Sequence, residues 1–272
     1  MKTIIFAWSQ KYNINEEHLR KYNYYNETNF FFGLGDLIRA SMKMYALSKK
    51  MNFHLIVDLQ LHPISSFLKI EKHEYTHLVL KNKDNIDYVC YGAVEDYVNS
   101  KPDNSISFLF TNDFFDGSLT PDIKDFIKHL LTPTDIFQKY INEKLKKIKK
   151  KPFQIMHYRL NDDEFLNKIK NTSQYEEILT NLQKIKEPND ILISDTKSFK
   201  DLVFKNNIEI MMFDINICHL GLSTDEDAIR DTLFEFFLIT YSSKIKTYCK
   251  IHAMSGFVKW ISAIYDIPVS KI

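Results

Sequence analysis

The sequence predicts an α/β protein made of two successive lobes, each a parallel sheet flanked by helices. Three observations carry this reading. Beyond residue 152, short apolar runs alternate with helix-length amphipathic stretches without a gap, and such alternation closes most readily as parallel strands joined by helical crossovers. Residues 1–133 show the same alternation less regularly. Between them, TDIFQKYINEKLKKIKKK at 134–151 is helical by composition and ends in a basic run before Pro152. The expected division is therefore an amino-terminal α/β lobe over 1–133, a helical linker over 134–151 and a carboxy-terminal lobe over 152–272. A basic run of this kind is usually a solvated helix face, which competes with its reading as a boundary.

Composition narrows the function classes. At 272 residues with 44% hydrophobic content, the chain can bury two cores of ordinary size. Its 36 Lys and Arg balance 35 Asp and Glu, a net charge of +1, so no global field points to a nucleic acid or a membrane surface, although a local basic site is compatible with it. Cys90, Cys218 and Cys249 are odd in number and widely spaced, without a CxxC pair or a Cys/His cluster. A disulfide framework and a structural zinc site are not expected, and a reducing, cytoplasmic setting is. The apolar run from Ile4 to Trp8 is too short for a signal-peptide core, and no segment approaches the roughly 18 apolar residues of a membrane span.

In the first lobe, residues 3–8 read as a strand and FFGLGD at 31–36 as a glycine turn. Leu37, Ile38, Met42, Tyr45, Ala46 and Met51 then recur at helical spacing. Gly is scarce, at 6 residues, so Gly33, Gly35, Gly221 and Gly256 are expected where the backbone needs them. Residues 53–58, FHLIVD, read as a buried strand. His62-Pro63 reads as a turn setter or an acceptor contact, and 65–68 as a short helix. Short strands are expected at 78–80 and 88–91, a firmer one at 106–111, and a helix over 121–131. The aromatic residues, Tyr24, Tyr25 and Phe30–Phe32 among them, read mainly as packing surface.

In the second lobe, strands are expected at 153–158, 191–194, 208–213 and 246–249, and helices at 174–185, 198–204, 225–240 and 256–265. Ligands of such sheets lie beyond the carboxyl ends of the strands, so those ends carry the functional expectation. The first ends in HYRLND, 157–162. Arg159 there either grips a phosphate through a two-pronged charge-assisted hydrogen bond or pairs with Asp162 or Asp163, and His157 is either a packed residue or a ligand group. The second ends in ISDTKSF, where Ser194 and Asp195 can accept from a base or ribose, or Asp195 or Ser198 can cap the next helix. The third leads through His219 and Gly221 into STDED, whose Ser223 and Glu226 have capping-box spacing. The fourth ends in CKIHAMSGFVKW, placing Ser255 and Gly256 at a helix amino terminus, which favours an anion.

Taken in order, these segments resemble the donor-binding lobe of the fucosyltransferase-like GT-B glycosyltransferases, which include the α1,2-, α1,6- and protein O-fucosyltransferases. HYRLND is similar to their H-x-R-x-G-D segment and ISDTKSF to their SDD strand end. The tract through SGFVKW, with Phe257, resembles their closing Ser-Phe-Trp motif, and GLGD resembles their opening glycine loop. Asn161 stands where the pattern has Gly, and Thr196 where it has the second Asp. These departures bear on the donor sugar and base more than on the fold.

The resemblance implies a GT-B-like fold of two Rossmann-like lobes whose parallel sheets face an interlobe cleft. It also implies a GDP-sugar donor, usually GDP-fucose, a glycan or glycoconjugate acceptor, inversion, and neither metal nor cofactor. Donor contacts would fall on Gly33, Gly35, His157, Arg159, Ser194, Asp195, His219, Ser255, Gly256 and Phe257. Arg159 would stabilise the leaving diphosphate. Asp36, or else Glu164 or Asp162, would take the acceptor proton, with helix capping as the competing role for Asp36. Two alternatives stay open: a donor such as UDP-xylose or a rhamnose nucleotide, and a non-catalytic nucleotide- or glycan-binding module of the same fold. No GxxxxGK[ST] loop appears and no GxGxxG follows a strand, which disfavours a kinase or a dehydrogenase.

Overall fold

The computed structural model describes residues 1–8, 33–83, 85–89, 91–160, 175–218, 220, 225–249 and 254–272. The chain divides into two compact units, Met1–Phe137 with Leu220–Thr224, and Gln138–His219 with Asp225–Ile272.

In the first unit, β1 (Thr3–Ala7) is buried along its whole length, as a strand covered on both faces requires, and its sequence TIIFA is correspondingly apolar. β2 (His54–Asp58), β3 (Asp87–Tyr88) and β4 (Ile106–Phe110) complete a sheet of order β2-β1-β4-β3 in which every pair is parallel. Ile5 pairs with Ile56 on one side and Phe108 on the other. Parallel neighbours need crossovers, and helices supply them: α1 (Leu34–Met51), α2 (Thr76–Lys81) and α3 (Val94–Ser100), while α4 (Pro121–Leu130) follows the last strand and packs on α1. α1 buries Leu34, Leu37, Ile38, Met42, Met44 and Leu47 on one side. It ends where Asn52 adopts the left-handed conformation, φ 53°, and donates its amide to Ser48 O.

Two local expectations, at 78–80 and 65–68, are corrected, and one helix, at 94–100, was not foreseen. Residues 78–80 are helical, inside α2, because the apolar run is too short to show a period and buries only Val79. The 94–100 segment forms α3, with Val94 and Val98, four apart, as its buried side. The short helix expected at 65–68 is a 3-10 turn over Pro63–Ser66.

α5 (Asp135–Leu145) precedes the second sheet. Here β5 (Gln154–Arg159), β6 (Asp190–Ser194), β7 (Ile245–Cys249) and β8 (Val269–Lys271) run parallel in the order β6-β5-β7-β8. The helices are α6 (Tyr175–Ile185), α7 (Lys197–Lys205), α8 (Glu226–Thr240) and α9 (Gly256–Tyr265). The expected strand at 208–213 reduces to a single parallel bridge, Ile191 to Met211. Ile210 N turns back to Ile208 O (2.9 Å), removing one donor from any ladder. β8 has no counterpart in the sequence reading, because the three-residue run lies past the last helix. Met156, Tyr158 and Leu160 pack on one face of the sheet with Leu179 and Leu182 of α6 and Phe199 and Val203 of α7. α8 is buried nearly all round, from Asp231 through Ile239, and α9 packs on it through Phe257 and Phe236 (centroids 5.2 Å apart).

Candidate functional site

The carboxyl edge of the second sheet gathers most of the expected residues. Alternation along β5 sets His157 and Arg159 on one face and Tyr158 on the other. Tyr158 packs against Phe199 and Tyr248. His157 is buried, and its Nδ1 lies 3.1 Å from Thr247 Oγ1 on the neighbouring β7, its register partner. Phe257 stacks on the imidazole (centroids 6.4 Å apart, planes 14° apart). Burial, and secondarily Arg159, pushes the His157 pKa down to about 3, so the ring is neutral. His157 thus acts as a spacer that fixes the start of α9 over β5.

Arg159 sits at the last position of β5, opposite Cys249. Its Nε lies 3.2 Å from Asp195 Oδ2, with the Asp195 side chain buried and that of Arg159 partly exposed. Of the two readings for Arg159, the structure places it in an ion pair with Asp195, while Asp162 and Asp163 lie outside the described residues. Asp195 is itself anchored, since its Oδ1 accepts from Leu160 N (2.9 Å) and Thr196 Oγ1 (3.1 Å). The helix cap is Thr196, not Asp195 or Ser198. Ser194 is fully buried, and its Oγ accepts from Thr196 N at 3.2 Å. Ser194 therefore shapes the loop from within and presents no hydroxyl to solvent, a correction to its expected donor contact. A second ion pair lies behind this loop. Lys200 Nζ of α7 meets Glu235 Oε1 of α8 at 2.7 Å, both side chains buried, and burial raises the Glu235 pKa against the opposing pull of Lys200.

Ser255 is the amino-terminal cap of α9 and Gly256 its first residue. The Ser255 hydroxyl makes no capping hydrogen bond, so it satisfies none of the first-turn amides of α9. α8 begins differently: its cap is Asp225, whose Oδ1 accepts from Asp227 N (2.9 Å) and Ala228 N (3.2 Å). His219, Gly221, Ser223, Asn161, Asp162 and Glu164 lie outside the described residues.

In the first unit, GLGD forms the opening turn of α1 and not a loop: Gly33 is the cap, with φ −62°, and Gly35 and Asp36 are helical. Asp36 Oδ1 pairs with Arg39 Nη2 at 3.0 Å. Arg39 also donates to Asn112 O (2.7 Å) and lies 3.7 Å above the Phe114 ring. Its pKa is lowered by burial, with Asp36 and Asp113 opposing. His62 is buried, and its Nδ1 accepts from Ile64 N (3.2 Å) at the start of the 3-10 turn, the turn-setting role. Sequence reasoning missed Thr247, Lys200 and Glu235. The register pair His157–Thr247 is invisible without strand pairing, but a lysine on the apolar side of α7 and a glutamate within FEFFLIT were visible signals of a buried pair.

Among the described residues, no three His, Cys, Asp or Glu side chains are placed to hold a metal ion, and no helix is long and apolar enough to cross a membrane. Two four-stranded parallel sheets flanked by helices give the chain the fold of the fucosyltransferase-like GT-B glycosyltransferases. No protein-family profile matches the sequence, and no curated protein matches it significantly. Among solved structures, the chain is similar to NodZ α-1,6-fucosyltransferase soaked with GDP-fucose, with a TM-score of 0.55 and 9% identity over 99% of this chain and 94% of that one. A structure of NodZ from Bradyrhizobium gives 0.54 and 10%, covering 95% and 91%. POFUT1 in complex with GDP gives 0.51 and 10% over 99% and 98%.

Proposed function

We propose that this chain is a glycosyltransferase that binds a GDP-sugar, GDP-fucose by preference, at the carboxyl edge of its second sheet and transfers the sugar to a glycan hydroxyl. The observation that carries the proposal is Arg159, a partly exposed guanidinium fixed by the anchored Asp195 at the end of β5, two residues beyond the His157 ring on which Phe257 of α9 stacks. Solved structures of the same fold include proteins with GDP or GDP-fucose bound. The family resemblance adds inversion without a metal. In the reaction the bond from the anomeric carbon to the diphosphate oxygen breaks and a bond to the acceptor oxygen forms on the opposite face. The acceptor proton passes to a carboxylate, Asp36 or Glu164. The leaving diphosphate gains negative charge, which Arg159 and the amides at the start of α9 offset.

Isothermal titration with GDP, UDP and ADP tests this. GDP is expected to bind best, and Arg159→Ala to weaken it by roughly 30- to 100-fold, the value of a charge-assisted hydrogen-bond pair, in a variant that still folds although its unfolding midpoint falls because the buried Asp195 loses its cation. Undiminished affinity in the folded variant would sink the assignment of Arg159. UDP preference would keep the transferase and replace the donor. GDP binding without release of GDP from GDP-fucose, whatever glycan is added, would leave a nucleotide-binding module.

A further inference from the structure

The opposite, amino-terminal edge of the second sheet holds an unrelated feature. Past α5 the chain continues through a turn in which Lys147 N bonds Lys144 O (3.0 Å) and Ile148 N bonds Leu145 O (3.2 Å). The turn leads into KKIKKK, residues 146–151, in which Ile148 is buried and the five lysines, Lys146, Lys147, Lys149, Lys150 and Lys151, are exposed. Elsewhere in this unit, buried lysines have carboxylate partners, Lys200 with Glu235 and Lys246 with Asp190 and Glu187. These five have none among the described residues, and no acidic residue interrupts the run.

Directly against the run lies a cavity of about 330 Å³ whose apolar lining comes from Ile148, Pro188, Ile191 and Met211, with Lys147 and Lys150 contributing to its wall. Its floor is held firmly: Asn189 Nδ2 donates to Pro152 O (2.8 Å) and Glu187 N to Asp190 Oδ2 (2.7 Å). A run of unpartnered lysines alone would suit any polyanion. An apolar cavity alone would suit any apolar group. Together they select a partner that presents dense negative charge above a hydrocarbon layer, because lysine stems lie along apolar surface while their ammonium groups reach outward. The overall net charge of +1 does not oppose this, since screening at physiological salt limits the relevant charges to those within about 8 Å.

We propose that residues 146–151 and the adjoining cavity form a docking surface for an anionic lipid bilayer, with headgroups at the lysines and hydrocarbon at the cavity. This edge lies a strand length, roughly 17 Å, from Arg159, and the inference does not depend on the donor reading. Co-sedimentation of the full chain with vesicles of mixed phosphatidylserine and phosphatidylcholine, and of phosphatidylcholine alone, tests it. Binding is expected to the anionic vesicles only and to fall with added salt. Each lysine contributes roughly a fivefold gain near an anionic surface, so Lys147→Gln/Lys149→Gln/Lys150→Gln together should weaken binding roughly 100-fold without moving the unfolding midpoint. Met211→Ser, which leaves the charge intact, should weaken it several-fold. Equal binding to both vesicle types, binding to neither, or full binding by the triple variant would overturn the proposal. So would tighter binding to a single-stranded oligonucleotide than to the vesicles, and an unaffected Met211→Ser would remove the cavity from it.

Discussion

The two units share a plan and treat buried charge differently. Each is a four-stranded parallel sheet in which the first strand lies inside, flanked by the second. In the first unit the buried carboxylates hold loops. Asp58 accepts from Gln60 N (2.9 Å) and Gln60 Nε2 (2.6 Å) and meets His73 Nε2 (2.9 Å), while Asp113 accepts from Gly92 N (3.1 Å) and Phe114 N (2.7 Å). In the second unit they face cations: Asp190 with Lys246 (3.0 Å), Glu235 with Lys200 (2.7 Å) and Asp195 with Arg159 (3.2 Å). An amide partner arrives with the backbone and carries no full charge, whereas a cation must also be desolvated and is stranded when its acid is removed. The second unit therefore depends on matched pairs, the first on local staples.

Lys200→Met tests that dependence most severely. It leaves Glu235 buried without its ammonium, and the expected loss is about 3–5 kcal/mol in denaturant unfolding. Adding Glu235→Leu should restore most of it, since a well-packed apolar pair often equals a buried ion pair. A single variant within about 1 kcal/mol of the parent would break the comparison.

The histidines sharpen it, because here the two units behave alike. His62 in the first and His157 in the second are both buried, and burial lowers each pKa to about 3. Each ring is neutral when folded and titrates near about 6.5 when unfolded. The stability tied to each is thus fully present above about pH 6.5 and is lost as pH falls from there toward about 3. Between about pH 7 and about pH 5 each histidine should cost about 2 kcal/mol. His157→Gln should reduce the acid sensitivity of unfolding by that share and His62→Gln by a similar one. A parent protein whose stability is flat across this range would refute the neutral assignment of both.

What the sequence revealed follows from which signals are local. The β5, β6 and β7 strands and the four helices of the second unit were legible because each is an apolar run or an amphipathic stretch bounded by polar residues. The ends of those strands followed, and with them the positions of Arg159 at the end of β5, Asp195 just after β6 and Ser255 at the start of α9. The failures were non-local. The 208–213 segment has strand composition, but only Met211 bridges to β6, and pairing is decided by a neighbour distant in sequence. Ser194 looked like a surface acceptor because its burial is imposed by the loop into α7. Thr247 mattered only through its register with His157. The β8 strand, three residues long, needed the edge of β7 to exist. In the first unit GLGD signalled a glycine turn, whereas the helix absorbs Gly35 because α1 buries Leu34 and Leu37 on either side of it.

The smallest expected effect separates staple from binding group within the second unit. Asp225 and Ser255 are both amino-terminal caps, of α8 and α9, but the Asp225 carboxylate accepts two first-turn amides while the Ser255 hydroxyl accepts none. Asp225→Ala should therefore cost about 1 kcal/mol of unfolding free energy and leave GDP affinity unchanged. Ser255→Ala should cost no more than about 0.3 kcal/mol, because it removes no hydrogen bond from the folded chain, yet weaken GDP about fivefold through a lost ligand contact. Paired measurements of unfolding and titration on the two variants decide the matter. If Ser255→Ala destabilises as much as Asp225→Ala and leaves GDP affinity intact, the start of α9 is an ordinary cap, and Arg159 must carry the diphosphate without it.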